Sequence, residues 1–247
     1  MLLGGRISIF AVNNSYDMNE ELKKYVIIVA GGSGTRFGSQ LPKQFLPLAG
    51  KPVLMHTIEK FAAAIPGIEV IVVLPQSQQE FWLSLCAENR FEIAHRVVAG
   101  GDSRYASVKN GLDSIDGDNA IVAVHDGVRP LVSERVIRDA FTTAASAGSA
   151  IPVVEVTDSV RQITADGSSM ALDRASLRAV QTPQTFSLSL LREAYSGGYS
   201  PLFTDDASVV EAAGHKVALF DGDTTNIKIT RPADLAIAQL IINKKDE

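Results

Sequence analysis

The residues best suited to chemistry cluster in one short stretch. Gly31-Gly32-Ser33-Gly34-Thr35-Arg36-Phe37-Gly38 places three glycines within four positions. Backbone N–H groups can therefore approach a phosphate with no Cβ in the way. A plain strand-to-helix turn needs one glycine, and this loop has four. It lacks the closing Gly-Lys-Ser/Thr of a Walker A loop, and Phe37 stands where a dinucleotide fingerprint has its third glycine. Arg36 and Lys43, the latter in Leu41-Pro42-Lys43-Gln44, frame a polyphosphate with a planar fork of donors and a compact charge.

A second cluster is Val124-His125-Asp126-Gly127-Val128-Arg129-Pro130. A carboxylate at the carboxyl end of a strand, facing a phosphate loop, is a natural Mg²⁺ ligand. That ion takes one or two carboxylates and leaves the rest of its shell to phosphate and water. Arg129 could hold a second phosphate. His125 reads as a residue that orients the turn rather than one that moves protons. Near the C-terminus, Lys228 lies between Ile227 and Ile229 in an expected short strand, which would point it away from both neighbours. Arg174 is ambiguous by itself, and Asp205-Asp206 read most simply as a helix cap. No Ser/His/Asp or Cys/His nucleophile set stands out. The inventory points to phosphoryl or nucleotidyl transfer driven by positioning and electrostatics.

Something must hold these loops in register, and the flanking sequence supplies it. Tyr25–Ala30 is a continuous β-branched run, the mark of a strand buried on both faces. Further buried strands are expected at Ile68–Leu74, Ile93–Val98, Ala120–Val124 and Ser149–Val154. Between them lie helical segments at Val53–Ala64, about Gln78–Asn89, Arg104–Ser114 and from Ser133 to about Ser146. This alternation implies an α/β, Rossmann-like, mostly parallel twisted sheet flanked by helices, with ligand beyond the carboxyl ends of the strands. Thr157–Ala179 breaks the rhythm with polar–apolar alternation and a turn at Asp166-Gly167. It reads as an inserted hairpin that must pack on the parent domain or a second subunit. Helices at about Leu188–Tyr195 and Asp205–Ala213, a strand at Lys216–Phe220 and a helix from Pro232 to about Ile242 complete the chain. Residues 1–23 read as a loose extension, 24–247 as one domain, and 157–180 as its inserted arm.

Composition narrows the partners. The 247 residues are 46% hydrophobic and carry a net charge of −5, which disfavours nucleic-acid coating or binding to anionic membranes. No segment approaches the ~20 apolar residues of a membrane span. The single Cys86 excludes an internal disulfide and a multi-cysteine zinc site. The apolar stretch Ile7–Val12 lacks the basic lead and small-residue cleavage site of a signal peptide, so a cytoplasmic location is expected.

Taken together, the segments resemble the 2-C-methyl-D-erythritol 4-phosphate cytidylyltransferase family of the non-mevalonate isoprenoid pathway. The matching pieces are Ala30-Gly31-Gly32-Ser33-Gly34-Thr35-Arg36 with Pro42-Lys43-Gln44, Gly100-Gly101-Asp102-Ser103-Arg104 with Ser107-Val108, and His125–Pro130. Asp158-Ser159-Val160, Asp173-Arg174, Gln181-Thr182-Pro183-Gln184, Thr204–Ser208 and Asn226–Pro232 complete the set. The resemblance covers about Lys24 to Ile242, and the ordered set is far more specific than any one piece.

The resemblance implies Mg²⁺-dependent, or other divalent-cation-dependent, transfer of CMP from CTP to a polyol phosphate. Arg36, Lys43 and Lys228 match the family's catalytic cations, and Asp126 the carboxylate near metal and acceptor. Ala30, Gly31, Gly32, Ser33, Gly34, Gly101, Asp102 and Ser107 match the CTP site. Arg129, Thr182, Ser159 and Arg174 match acceptor contacts, Ser159 and Arg174 reaching across a homodimer through the hairpin arm. Four positions depart from the family: Gly127-Val128 for two alanines, Ser159 for threonine and Gly31 for alanine. Ribitol-5-phosphate cytidylyltransferase is the nearest alternative, and a non-catalytic nucleotide sensor is the alternative from another class.

Overall fold

The computed structural model describes residues 22–32 and 41–244. The expected extension over 1–23 lies almost wholly outside them, as do the loop residues Ser33, Gly34 and Arg36.

The first strand shows why its sequence has no polar face. In β1 (Lys23–Val29), Val26 and Ile28 join one apolar cluster, while Tyr25 and Ile27 join another on the opposite side of the sheet. Successive strand residues point to opposite faces, so burial on both sides demands an unbroken apolar run. Complete burial of Val26, Ile27 and Ile28 contributes about 1.5–3 kcal/mol each.

A 3-10 turn over Lys43–Phe45 follows, then β2 (Pro47–Leu48) and β3 (Lys51–Pro52). The α/β alternation continues as α1 (Val53–Ala64), β4 (Glu69–Leu74), α2 (Gln76–Glu88), β5 (Arg96–Ala99), α3 (Arg104–Asp113), β6 (Ala120–Asp126), α4 (Glu134–Ala147) and β7 (Ser149–Glu155). The chain then forms β8 (Arg161–Ile163), β9 (Ser169–Ala171), β10 (Arg178–Val180), β11 (Gln184–Ser187), α5 (Leu188–Ser196), α6 (Asp206–Ala212), β12 (Leu219–Asp221) and α7 (Pro232–Asn243). The main sheet runs β10-β7-β11-β6-β1-β4-β5, with β12 also on β7. The pairs β1–β4, β1–β6, β4–β5 and β7–β12 are parallel.

The sheet is therefore mixed, because β11 lies antiparallel between β6 and β7. That strand and β10 were not expected from the sequence. The stretch Gln181–Thr185 is polar and contains a proline, so it reads as loop. Gln184 is nonetheless buried because its amide has partners: Nε2 donates to Asp205 Oδ2 at 2.8 Å, and Oε1 accepts from Ala207 N–H at 2.8 Å. The third expected strand starts at Arg96 rather than Ile93, since the Ile93 carbonyl bonds the His95 ring at 2.7 Å instead of a ladder partner.

No strand contains Lys228, contrary to expectation. A single backbone–backbone bond, Ile229 N–H to Val128 O at 2.9 Å, ties the segment to the loop after β6. Ile229 is buried with Leu48, Val53, Val128, Leu131 and Ala238, and that apolar anchor directs Lys228 instead. The inserted hairpin forms as a separate two-stranded sheet, β8 with β9. Ile163, Met170 and Leu172 on it are exposed.

Candidate active site

One cleft lies at the carboxyl ends of β1, β5 and β6. Its walls include Ala30, Gly31, Gly32, Lys43, Gly101, Asp102, Ser107, Asp126 and Lys228. All of these were singled out from sequence, and the fold brings them together from separate segments of the chain.

The loop wall starts at β1. Gln44, fully buried, donates from Nε2 to Ala30 O at 2.6 Å and to Gln78 Oε1 at 2.8 Å. The 3-10 turn is thereby fastened to Ala30, the residue that leads into the glycine loop. Lys43 lies alongside: a Cβ built on Gly32 would sit 3.6 Å from Lys43 Cε. A Cβ on Gly127 would meet Ala30 Cβ at 3.0 Å and Val29 O at 3.2 Å, so this departure from the family's alanine packs tightly against the loop's start.

The opposite wall is the start of α3. Ser103 caps it by accepting from Ala106 N–H at 3.0 Å. Ser107 Oγ accepts from Gly101 N–H at 3.1 Å, which folds the Gly-Gly turn onto the helix. Gly101 is required here, because a Cβ would lie 2.5 Å from Ala106 Cβ.

Asp126 closes the floor. Its Oδ2 accepts from Arg129 Nε at 3.1 Å and from Lys228 Nζ at 3.0 Å. Burial alone would raise its pKa, but the cations of Lys228, Arg104 and Arg129 outweigh burial and hold the carboxyl below the usual carboxylate range. Among the described residues, no hydrogen bond reaches its other oxygen.

Beneath Asp126 lies a buried polar network. The Arg129 carbonyl can only accept, so His125 Nε2, 3.2 Å away, carries the ring hydrogen. His125 Nδ1 then accepts from the Thr182 hydroxyl at 3.0 Å, and Thr182 Oγ1 accepts Asp126 N–H at 3.1 Å. Complete burial pulls the His125 pKa down to about 3, so the ring is neutral. Asn226 Nδ2 donates to Thr182 O at 2.8 Å, and Arg129 Nη1 donates to Asn226 O at 2.7 Å. Through this chain the segment bearing Lys228 is locked to the floor.

The structure places Arg129 and Thr182 behind Asp126 rather than on the cleft wall. Both expected acceptor ligands have their polar groups on Asp126, His125 and the 226 loop. Ser159 and Arg174 lie on the arm, away from this cleft. Ser159 is exposed, and Arg174 donates to Thr157 O beside a second hollow lined by Glu155, Thr157 and Arg178. Sequence reasoning missed Gln44, Ser103 and Arg104 as wall residues. A basic residue opening a helix, just after a Gly-Gly turn at a strand's end, was the available signal for Arg104.

A metal ion has a limited foothold. Among the described residues, no group of three or more His, Cys, Asp or Glu could hold one. One open carboxylate oxygen on Asp126, with Asp102 on the wall, fits a Mg²⁺ ion carried by phosphates rather than a cage made of protein ligands.

Glycine loop, strand-end carboxylate and converging cations over a helix-covered, mostly parallel sheet define an α/β protein that handles nucleotides. The chain matches the 2-C-methyl-D-erythritol 4-phosphate cytidylyltransferase (IspD) family over residues 24–244. It is 49% identical over 221 residues to that enzyme from Bacteroides thetaiotaomicron, covering 90% of this chain and 100% of the relative. It is likewise 49% identical over 223 residues to that from Porphyromonas gingivalis, covering 90% and 99%. The crystal structure of the Thermus thermophilus enzyme superposes with a TM-score of 0.71 at 31% identity, covering 90% of this chain and 100% of that one. The chain belongs to the 2-C-methyl-D-erythritol 4-phosphate cytidylyltransferase family.

Proposed function

We propose that this chain transfers CMP from CTP to 2-C-methyl-D-erythritol 4-phosphate, releasing pyrophosphate. A phosphate oxygen of the acceptor attacks the α-phosphorus, the bond to the β-phosphate breaks, and its electron pair leaves with pyrophosphate. The observation that carries this reading is the meeting of Lys43, Lys228 and Asp126 with the α3 turn in one cleft.

Cytosine packs against Ala30, Gly31, Gly101, Asp102 and Ser107, where backbone groups and a hydroxyl can read its edge. Lys43, with Arg36, neutralises charge that builds on the five-coordinate phosphorus. Lys228, held at 3.0 Å from Asp126, faces the junction of acceptor and α-phosphate. When bound, Mg²⁺ supplies charge neutralisation to the phosphates, held by Asp126. The arm pairs two subunits, burying Ile163 and Met170 and carrying Ser159 and Arg174 to the partner's acceptor site. The enzyme works in the cytoplasm.

The test is pyrophosphate release with CTP and Mg²⁺, offering methylerythritol 4-phosphate, ribitol 5-phosphate or no acceptor. Release with the first alone is expected. Release with ribitol 5-phosphate alone would transfer the chain to another acceptor. Silence with every acceptor despite CTP binding would make it a nucleotide sensor.

A further inference from the structure

We propose that Arg104 is a phosphate-binding residue of this cleft, held ready by a buried clamp on its far side. The inference rests on the reading that CTP and a polyol phosphate are the ligands.

Arg104 is the first residue of α3 and lines the cleft beside Asp102 and Ser103. A cation is misplaced there, because a helix N-terminus already carries partial positive charge. The first turn has no acidic residue to offset it. Part of the compensation comes from α6: Nη1 and Nη2 donate to Asp206 Oδ1 and Oδ2 at 2.9 and 2.6 Å. Asp206 is completely buried, and Tyr195 Oη donates to its Oδ1 at 2.7 Å. The guanidinium therefore has one orientation.

The two ends of this pair differ. The Asp206 side chain is 0% exposed and that of Arg104 is 30%. Arg104 is thus tied to a buried partner at one end, stays partly exposed, and lines the cleft. An arginine has five N–H donors, of which Asp206 takes two. The others have no acceptor among the described residues. They form an ordered, charged, partly desolvated donor set on a residue that lines the same cleft as Lys43 and Lys228. A phosphate oxygen satisfies both the geometry and the excess positive charge. A strut between α3 and α6 alone needs no open cationic face, and apolar packing joins helices at lower desolvation penalty.

The shared chemistry is a phosphate oxygen, and it belongs either to the nucleotide or to the acceptor. Calorimetric titrations of cytidine, CTP, methylerythritol and methylerythritol 4-phosphate, each alone, separate the sources. The primary variant is Arg104→Gln with Asp206→Asn, which keeps an amide pair across the helices and strands no buried carboxylate. Arg104→Lys, which keeps the charge but loses the fork, is the second. The double variant is expected to bind at least one phosphorylated ligand about 10–100-fold more weakly, on the scale of a lost charge-assisted bond. Its phosphate-free counterpart should bind as before, and the ligand that loses affinity identifies the phosphate. The lysine variant should fall between the two. Equal losses for phosphorylated and phosphate-free ligands, or unchanged binding by either variant, would overturn the inference and leave Arg104 a strut. A wild-type chain that binds none of the four would instead overturn the proposed function.

Discussion

Replacing His125 with asparagine should flatten the acid side of the stability profile. The ring is fully buried and neutral in the folded state, with its pKa at about 3 against an ordinary value of 6.5. The unfolded chain takes up a proton below pH 6.5 that the folded chain refuses until about pH 3. The unfolded state thus binds more protons in that window, and folding stability falls as pH falls through it, by up to about 1.4 kcal/mol per pH unit. Between pH 7.5 and 5.0 the loss from this group alone is about 2 kcal/mol. Asparagine retains an atom near Nδ1 for the Thr182 hydroxyl but has no group that titrates. It also loses the edge-on contact with Phe61, whose ring centroid lies 4.9 Å away, so its stability drops at every pH. The informative quantity is therefore the difference between the two pH profiles. Urea unfolding followed by circular dichroism at one protein concentration measures it, and avoids Trp82, whose indole donates to the His95 ring at 3.0 Å. His56, also lowered by burial, adds a background common to both proteins, as do the shared carboxylates. Identical pH dependence in wild type and variant would refute the neutral buried histidine.

Lys43→Ala and Lys228→Met should each lower kcat by about 10²–10³ while leaving cytidine binding intact, as steady-state kinetics and titration would show. Gly101→Ala should destabilise the fold by about 1–3 kcal/mol and weaken CTP binding, since the new methyl must displace Ala106. Thermal unfolding and CTP titration check both effects. Ile163→Asp with Met170→Asp should turn the proposed dimer into a folded monomer in light scattering, because both arm residues are exposed within one chain; a monomeric wild type would refute the pairing through the arm.

The parts of this molecule that were legible in the sequence obey local rules. Double-faced burial of β1 shows as an unbroken apolar run, and Ser133 announces α4 as its cap. The unread parts depend on distant partners. Gln184 looks like loop until Asp205 and Ala207, more than twenty residues on, satisfy its amide. Lys228 was expected in a strand, yet one backbone bond and the burial of Ile229 aim it. Asp206, read with Asp205 as a cap, does sit at a helix start, where Asp205 forms the capping box with Ser208. Its larger commitment, to Arg104 about a hundred residues earlier, leaves no local trace.

The floor of the cleft also bears on how a metal ion could enter. One oxygen of Asp126 already faces two cations, Lys228 and Arg129, and Arg104 is near enough to lower the acid's pKa. A divalent ion at the open oxygen would join a site already rich in positive charge. Two like unit charges about 4 Å apart repel by about 4 kcal/mol at the effective dielectric of a protein surface, and a divalent ion doubles that. One free oxygen cannot offset that repulsion, whereas a triphosphate brings enough negative charge to reverse it. Metal should therefore arrive with nucleotide. Titrating Mg²⁺ alone into the protein should give no saturable binding up to about 1 mM, and Mg²⁺ should tighten CTP binding. Lys228→Met, by removing one of those cations, should strengthen whatever weak binding the bare ion shows. A tight Mg²⁺ site in the nucleotide-free wild type would refute this account of Asp126 and require carboxylate ligands beyond Asp126 and Asp102.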